Sequence, residues 1–464
     1  MDLSMSGVDP EWVLSGWRLM LPAVAFIGVQ LAWAIQIGYA TPQLRTLGIS
    51  DALVGVVWLA GPLSGIIVQP VVGVWSDHVR ERRPFLVGGV VCTVTGLLLF
   101  SNANTLGGGR RDVALGIAIT AFWFMDFSIN VIQGPIRALM TDVVPPHRLA
   151  RANSYFAVAA GIGKTLGYTI GGISTSVPLI FGISALLVAL FVLVTVALVK
   201  DAPGPLVVAE EIPGTRPTLM QLVLEPFKAV FSMPRELSRA FYVQFCAFFA
   251  WFATFIYLTH WIGQDVAGGS PDKPVGSNER RTFDYGVRMG NVGLALMAIV
   301  SIVIGPVLPM LMKRVGVRTV WVFSLLLMGA SMISTLWVTK IWQALIVLST
   351  LAVPLATSFT IPWAIATSTL ADNPKRGAYL GAFNMSQSLP EILTSLLGGP
   401  IILLGHGRIA ASLATGGFVA WIGAALVTFV KVPESLHRSR NQPLECEEAQ
   451  HGEMLDFSDY SEID

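Results

Sequence analysis

The chain has 464 residues, of which 53% are hydrophobic and only 13% are charged, and its formal net charge is +1. Soluble domains carry about 25% charged residues, so this composition indicates a polytopic membrane protein. A net charge so close to zero gives no reason to expect a nucleic-acid partner. The three cysteines, Cys92 and Cys246 in apolar segments and Cys446 in a polar tail, exclude a disulfide framework.

Twelve apolar stretches of about 20 residues, the length that crosses a bilayer, follow one another along the chain. They predict an all-α polytopic membrane protein with twelve transmembrane helices in two six-helix bundles. We interpret the first stretch as an uncleaved helix rather than a signal peptide. The stretches begin near Leu19, Ala52, Phe85, Val113, Ala152, Val177, Ala240, Tyr285, Thr319, Ile341, Ala378 and Ile409.

The pattern divides the chain into five parts. Residues 1–18 precede the first bundle at 19–199, a linker rich in proline and charge covers 200–239, and a second bundle at 240–431 is followed by an acidic tail at 432–464. Nineteen of the 30 lysines and arginines lie in one set of loops, eight lie in the opposite set and three lie in or beside helices. This excess predicts that both termini are cytoplasmic.

The fourth stretch carries Asp126, Asn130 and Gln133, and Arg137 follows it closely. At about 100° per residue, offsets of four, seven and eleven residues place these side chains on one helix face. A charge near the bilayer centre costs at least about 2.5 kcal/mol and normally faces a water-filled cavity. The stripe therefore predicts a substrate or proton pathway, with a buried structural ion pair as the alternative.

Two later helices carry further polar groups. Lys164 lies among glycines at four-residue spacing, which indicates close helix packing, and the lysine is a candidate cavity cation. Asn384, Ser388 and Glu391 share one face of the eleventh helix. Glu391 is either a second proton site, a substrate ligand or a charge snorkelling at a helix end.

Basic loops recur at the same place in each half, at 73–84 and at 313–318. Parallel six-helix repeats with a site between them are expected of a transporter that works by alternating access. Charged side chains in the first half predict cytoplasmic networks that hold a gate closed, or that only enforce topology. These gating candidates are Asp77, Arg82, Arg83, Asp142 and Arg148.

Enzyme motifs are missing from the sequence, which has no Cys or His cluster at metal spacing, no phosphate-binding glycine loop and no Gly-x-Ser-x-Gly elbow. We therefore predict that the chain is not an enzyme and needs no metal or cofactor.

The loop at 73–84 resembles the signature of the major facilitator superfamily. The wider match resembles the sucrose and α-glucoside proton symporters of plants and fungi, in the glycoside-pentoside-hexuronide group. The matching residues include Trp33-Ala34-Ile35-Gln36, Trp58-Leu59-Ala60-Gly61-Pro62, Ser76-Asp77, Arg82-Arg83-Pro84-Phe85, Asp126, Asn130, Gln133-Gly134-Pro135, Arg137-Ala138-Leu139 and Trp261-Ile262-Gly263.

Three departures from the plant pattern stand out. Glu81 interrupts the run of arginines before Pro84, and Leu258-Thr259-His260 stand where plants have Asp-Thr-Asp. The histidine typical of the first external loop is missing around residues 50–52. With Glu391 in the eleventh helix, these features look more like the fungal branch, so maltose and other α-glucosides join sucrose as expected substrates.

We assign roles by residue chemistry, because a neutral sugar needs hydrogen-bonding groups and aromatic faces whereas a proton needs a carboxyl. Asp126 is expected to take up the proton, and Arg137 to stabilise the ionised carboxylate until the proton releases their attraction. The proton-coupling residues are Asp126, Arg137 and Glu391, and the substrate-binding residues are Trp33, Gln36, Asn130, Gln133, Lys164 and Asn384.

The expected function is proton-coupled disaccharide uptake by a monomer in the lipid bilayer. The plasma membrane is the expected location, with the vacuolar membrane as the alternative. Two other functions stay open, an exporter of another small solute on the same fold and a non-transporting sugar sensor. The short tail argues against the sensor.

Overall fold

We describe a computed structural model for residues 13–79, 81–145, 148–202, 224, 227–370, 373 and 375–433. Within these ranges every regular element is a helix, as predicted. We number the helices α1 to α12 in chain order. They are α1 (Leu21–Thr46), α2 (Asp51–Trp58 and Ala60–Val79), α3 (Arg83–Ser101), α4 (Arg111–Val143), α5 (Leu149–Ile173), α6 (Val177–Leu198), α7 (Arg235–Trp261), α8 (Asn278–Val315), α9 (Val317–Ser334), α10 (Ile341–Thr350 and Ala352–Thr369), α11 (Arg376–Leu404) and α12 (Ala410–Val427).

Eleven of the twelve helices are long and apolar enough to cross a membrane. The exception is α5, which has 25 residues but carries Arg151 and Lys164. It nevertheless packs along α1 as a full member of the first bundle. The protein is therefore a multi-pass membrane protein.

Proline explains the two interrupted helices. Pro62 has no N–H to donate to the carbonyl of Trp58, the last residue of the first segment of α2. Pro354 likewise cannot bond to Thr350, where the first segment of α10 ends. The expected basic loop at 313–318 is largely helical, since α8 continues to Val315 and only Gly316, with φ of 98°, separates it from α9.

The helices form two packed groups. Helices α1 to α6 contact one another, as do α7 to α12, and the groups meet where α5 packs against α8, α2 against α11 and α1 against α7. We call one end of the molecule the linker side (residues 13–20, 199–202, 227–234 and 428–433) and the other end the loop side (47–50, 174–176, 267–277 and 405–409).

Helices α2 and α11 diverge towards the linker side. The first segment of α2, nearer the loop side, packs extensively on α11, whereas its second segment makes far fewer contacts there. The two halves are thus in tight contact on the loop side and separate on the linker side along this pair of helices.

Candidate transport site

Asp126 lies near the middle of α4 and is completely buried. Its Oδ1 accepts a hydrogen bond of 2.7 Å from Nε2 of Gln36 on α1. Its Oδ2 and the Oε1 of Gln36 are buried and lack hydrogen-bond partners among the described residues. A buried carboxylate is costly unless it is paired, and a neutral amide is its only protein partner in the described part of the chain. This carboxyl is therefore well placed to bind a proton.

Asn130, one turn further along α4, has its amide fully engaged. Its Oδ1 accepts from Gln69 at 2.6 Å, and its Nδ2 donates to Ser64 at 2.8 Å and to the carbonyl of Asp126 at 3.0 Å. These bonds tie α4 to α2, and the expected contact of Asn130 with sugar stays a prediction. The sequence prediction missed Gln69 and Ser64, which lie on the second segment of α2.

Trp33 of α1 and Gln133 of α4 form a second contact between these helices. The indole Nε1 donates to Oε1 of Gln133 at 3.3 Å, and both side chains are half-buried. An aromatic face beside an amide that still has an N–H₂ group to donate is the chemistry that suits a sugar ring.

Arg137 does not contact Asp126, although the two side chains were expected from the sequence to attract each other. Eleven residues correspond to a rise of about 16 Å along a helix. The guanidinium of Arg137 instead lies over the ring of Phe26 on α1, with Cζ 5.0 Å from the centroid, and the side chain is exposed. The shared helix face predicted for the stripe holds, but direct pairing is excluded by distance along the axis.

Glu391 lies near the middle of α11, in the half of the molecule opposite Asp126. Its carboxyl packs so closely on Gly61 of α2 that a Cβ added there would lie 2.7 Å from its Oε1. Asn384, two turns nearer the linker side, is exposed. The carboxyl of Glu391 therefore lies against α2 of the first half, at the boundary between the two halves.

Lys164 makes a contact across the two halves. Its Nζ lies 5.1 Å from the ring centroid of Phe359 on α10, and the lysine is half-buried. A cation over an aromatic face is attracted by about 0.5–2 kcal/mol, depending on desolvation. Lys164 thus faces the region between the halves, although the contact seen here is with a ring.

The gating candidates lie on the linker side of the first half. Nε of Arg82 donates to Asp142 at 2.9 Å and its Nη1 to Ser76 at 2.6 Å, while Nε of Arg83 donates to the carbonyl of Val196 at 2.9 Å. These contacts join helices of one half only. Nη1 of Arg148 is buried without a hydrogen-bond partner in the described residues, and the side chain of Asp77 lies outside them. Their gating role stays a prediction.

The loop side is closed by a cluster that the sequence did not suggest. Arg45 at the end of α1 binds Asp51 at the start of α2, with Nε 2.8 Å from Oδ1, and Asp272 at 3.3 Å. His260 of α7 meets the same Oδ1 of Asp51 at 3.1 Å. Asp272 and His260 belong to the second half, so these contacts hold the halves together.

Metal binding finds no support in the described ranges, where no three His, Cys, Asp or Glu side chains cluster. The chemistry available at the site is that of carboxyl, amide and aromatic groups.

The sequence profile of the Major Facilitator Superfamily matches residues 22–278, more than half of the chain. The chain belongs to the major facilitator superfamily. It is accordingly a membrane transporter and not an enzyme.

Two plant relatives align over almost the whole chain. Sucrose transport protein SUT2 of Oryza sativa subsp. indica is 28% identical over 479 residues, which cover 92% of this chain and 94% of the relative. Sucrose transport protein SUC4 of Arabidopsis thaliana is 26% identical over 475 residues, with 92% of each chain covered. These are plant proteins, so they give no support to the predicted closeness to the fungal branch.

Solved transporters share the fold. A mutant of the nucleoside transporter NupG aligns with a TM-score of 0.66 at 14% identity, covering 89% of this chain and 99% of that one. The D-xylose-proton symporter aligns with a TM-score of 0.63 at 15% identity, covering 90% and 99%. At such low identity these structures show similarity of fold alone.

Proposed function

We propose that the protein is a proton-coupled importer of sucrose, or of a related α-glucoside such as maltose, and that it works by alternating access as a monomer. The linker side would face the cytoplasm, in keeping with the excess of lysine and arginine in the loops on that side. The plasma membrane is the proposed location, with the vacuolar membrane as the alternative.

The observation that carries the proposal is the carboxyl of Asp126, buried in mid-membrane with Gln36 on one oxygen. A carboxyl in such a place is expected to face a transport pathway rather than to stabilise the fold. Its protonation removes a charge from the centre of the first half. The proposed role of Asp126 is therefore to carry the proton, with Glu391 of the opposite half as a second proton-coupling carboxyl.

The sugar would bind beside this carboxyl. Trp33 offers a ring face, Gln133 and Asn384 offer amides, and Lys164 offers a cation. The substrate class is supported by plant relatives named as sucrose transport proteins, which align over almost their full length. Each proton moved inward contributes about 2.3 kcal/mol per 100 mV of membrane potential, enough to accumulate a neutral sugar.

Radiolabelled sucrose and maltose uptake in cells lacking their own carriers tests the proposal. We expect uptake to rise with external acidity and to collapse with an uncoupler. Asp126→Asn should abolish accumulation but retain exchange of labelled for unlabelled sugar, because an amide resembles the protonated carboxyl. The matched control is Asp112→Asn on the same helix, since Asp112 is 73% exposed in a surface ion pair of little energetic value. Acid-driven accumulation by Asp126→Asn would refute the proton role.

A further inference from the structure

We propose that Phe359 is a sugar-binding platform in the second half, and that the ammonium of Lys164 covers it until sugar takes its place. The aromatic ring stacks on the apolar face of a pyranosyl ring, so it favours substrates that carry one. The inference rests on the proposed function and deepens it. Phe359 was not among the substrate-binding residues expected from the sequence.

The side chain of Phe359 lies on the part of α10 that faces α7. Its ring is 42% exposed and meets Phe248 of α7 nearly at a right angle, with centroids 5.4 Å apart. The preceding residue, Ser358, is buried and accepts two hydrogen bonds from α7, one on its hydroxyl from Trp251 and one on its carbonyl from Gln244. These bonds fix α10 against α7, so the ring of Phe359 is held in place although much of it is uncovered.

Lys164 shows what the uncovered part of the ring borders. The lysine reaches Phe359 from α5 in the other half, and its Nζ lies 5.1 Å from the ring centroid. In the described part of the chain this Nζ has no ion pair and no hydrogen bond, yet it is not sealed from solvent. A charge without a counter-ion lies in water rather than among lipid tails. The uncovered face of Phe359 therefore borders a water-filled space between the halves.

The platform lies at the depth of the indole already proposed to bind sugar. Gly163, the residue before Lys164, packs so closely on α1 that a Cβ added there would lie 2.8 Å from the Cβ of Gln30. Gln30 is about one helical turn from Trp33. Phe359 is within reach of one lysine side chain from that level. Trp33 and Phe359 therefore border the pathway at similar depth, one from each half.

A ring face that attracts an ammonium also suits a sugar. The face of an aromatic ring attracts a cation, and it packs equally well against the C–H groups on one side of a pyranosyl ring. A sugar does not fit between Nζ and the ring, because they are 5.1 Å apart and a contact between carbons takes about 3.5–4 Å on each side. The sugar must displace the ammonium, which is then free to donate to a sugar hydroxyl.

Equilibrium binding of radiolabelled sucrose and maltose to the purified full-length protein in detergent tests the platform. Phe359→Leu keeps an apolar side chain but removes the ring face, and it should raise the Kd about threefold to tenfold, as the loss of one aromatic contact does. Phe359→Tyr keeps the ring and should bind like the unaltered protein. The matched control is Phe323→Leu on α9, since Phe323 is also an exposed phenylalanine of the second half.

The displacement is tested by combining the ring change with Lys164→Leu. In the unaltered protein, the contact that sugar gains with the ring is partly offset by the contact that the ammonium loses. Without the ammonium nothing offsets it, so Phe359→Leu should raise the Kd at least about threefold more in the Lys164→Leu background. A direct bond between Lys164 and sugar cancels in this comparison, because it is common to both members of each pair.

Equal Kd values for the unaltered protein and Phe359→Leu, or an equal loss in Phe359→Tyr, would overturn the platform. An effect of Phe359→Leu that is no larger in the Lys164→Leu background would overturn the displacement. If Phe359→Leu is not recovered as folded protein, Phe359→Met replaces it in both comparisons. Binding of neither sugar by the unaltered protein would remove the proposed function and this inference together, whereas binding that does not depend on the ring removes this inference alone.

Discussion

Gln36 donates a hydrogen bond of 2.7 Å to Oδ1 of Asp126, joining α1 to α4 in the centre of the first half. The donor is a neutral amide, which stabilises an ionised carboxylate without adding a positive charge. An arginine in this place would favour the ionised form far more strongly. The amide leaves Asp126 free to exchange its proton, which a proton-coupled transporter requires in every cycle.

Replacing Gln36 by leucine should slow release of the proton. The variant removes the donor that favours the ionised carboxylate, and hydrogen bonds to charged groups contribute about 1.5–3 kcal/mol, so net uptake should fall about tenfold or more. Exchange of labelled for unlabelled sugar should persist, because it needs no deprotonation. Gln43→Leu on the same helix is the control. A parallel loss of exchange would show that Gln36 acts on the sugar.

Asn130→Ala should affect stability rather than sugar affinity. The change leaves Gln69 and Ser64 without their shared partner between α2 and α4, and an unsatisfied buried polar group costs about 1–3 kcal/mol. We expect a lower melting temperature in detergent and an unchanged KM for sugar uptake. A raised KM with unchanged stability would return Asn130 to the sugar site.

The helices were predictable because each depends on residues close in sequence. Apolar stretches located all twelve, and Pro62 and Pro354 would have located the two interruptions by the same local rule. Helical periodicity also placed Asp126 on an inward face, and it is buried. The helical rise also gives the axial distance of about 16 Å from Asp126 to Arg137. These two residues had been paired on angle alone, and the structure places Arg137 over Phe26 instead.

Contacts between distant helices were beyond sequence reasoning. Asp51 and His260 are 209 positions apart, and nothing in either local pattern indicates the other. Both positions had been noted separately as departures from the plant pattern, an acid near the missing loop histidine and a histidine where plants carry an acid. Their contact shows that the two departures are one feature, which only the packing of the halves reveals.

Gly55→Ala should hold the loop side open. A Cβ at this position of α2 would collide with the backbone of Ser395 on α11, which cannot move aside as a side chain would. Uptake should fall at least about tenfold, since even about 1.4 kcal/mol against closure has that effect on a two-state equilibrium. Gly65→Ala is the matched control, because a Cβ there meets open space. Normal uptake by Gly55→Ala would mean that this contact is not needed in the cycle.

Arg82 and Asp142 should stabilise the first half in every state of the transporter. Their ion pair of 2.9 Å is mostly buried, and the backbone N–H of Arg82 also donates to Asp201 at 3.0 Å. These contacts join segments of the first half to one another and to the start of the linker. Removing one partner of a buried pair costs about 3–5 kcal/mol. Arg82→Met should therefore lower the melting temperature in detergent. Ser395 on α11 is 1% exposed, so Ser395→Cys should react with a membrane-impermeant thiol reagent only when the loop side opens, and this labelling should stay unchanged.

The double variant Arg82→Met with Asp142→Leu separates stability from gating. Replacing both members of a buried pair by apolar residues is often nearly neutral, so much of the lost melting temperature should return. If the ion pair served the gate instead, the double variant would lack the contact that must form and break. Gating would then stay impaired even though the melting temperature recovers. Altered labelling of Ser395→Cys with an unchanged melting temperature would show that Arg82 serves the gate rather than the fold.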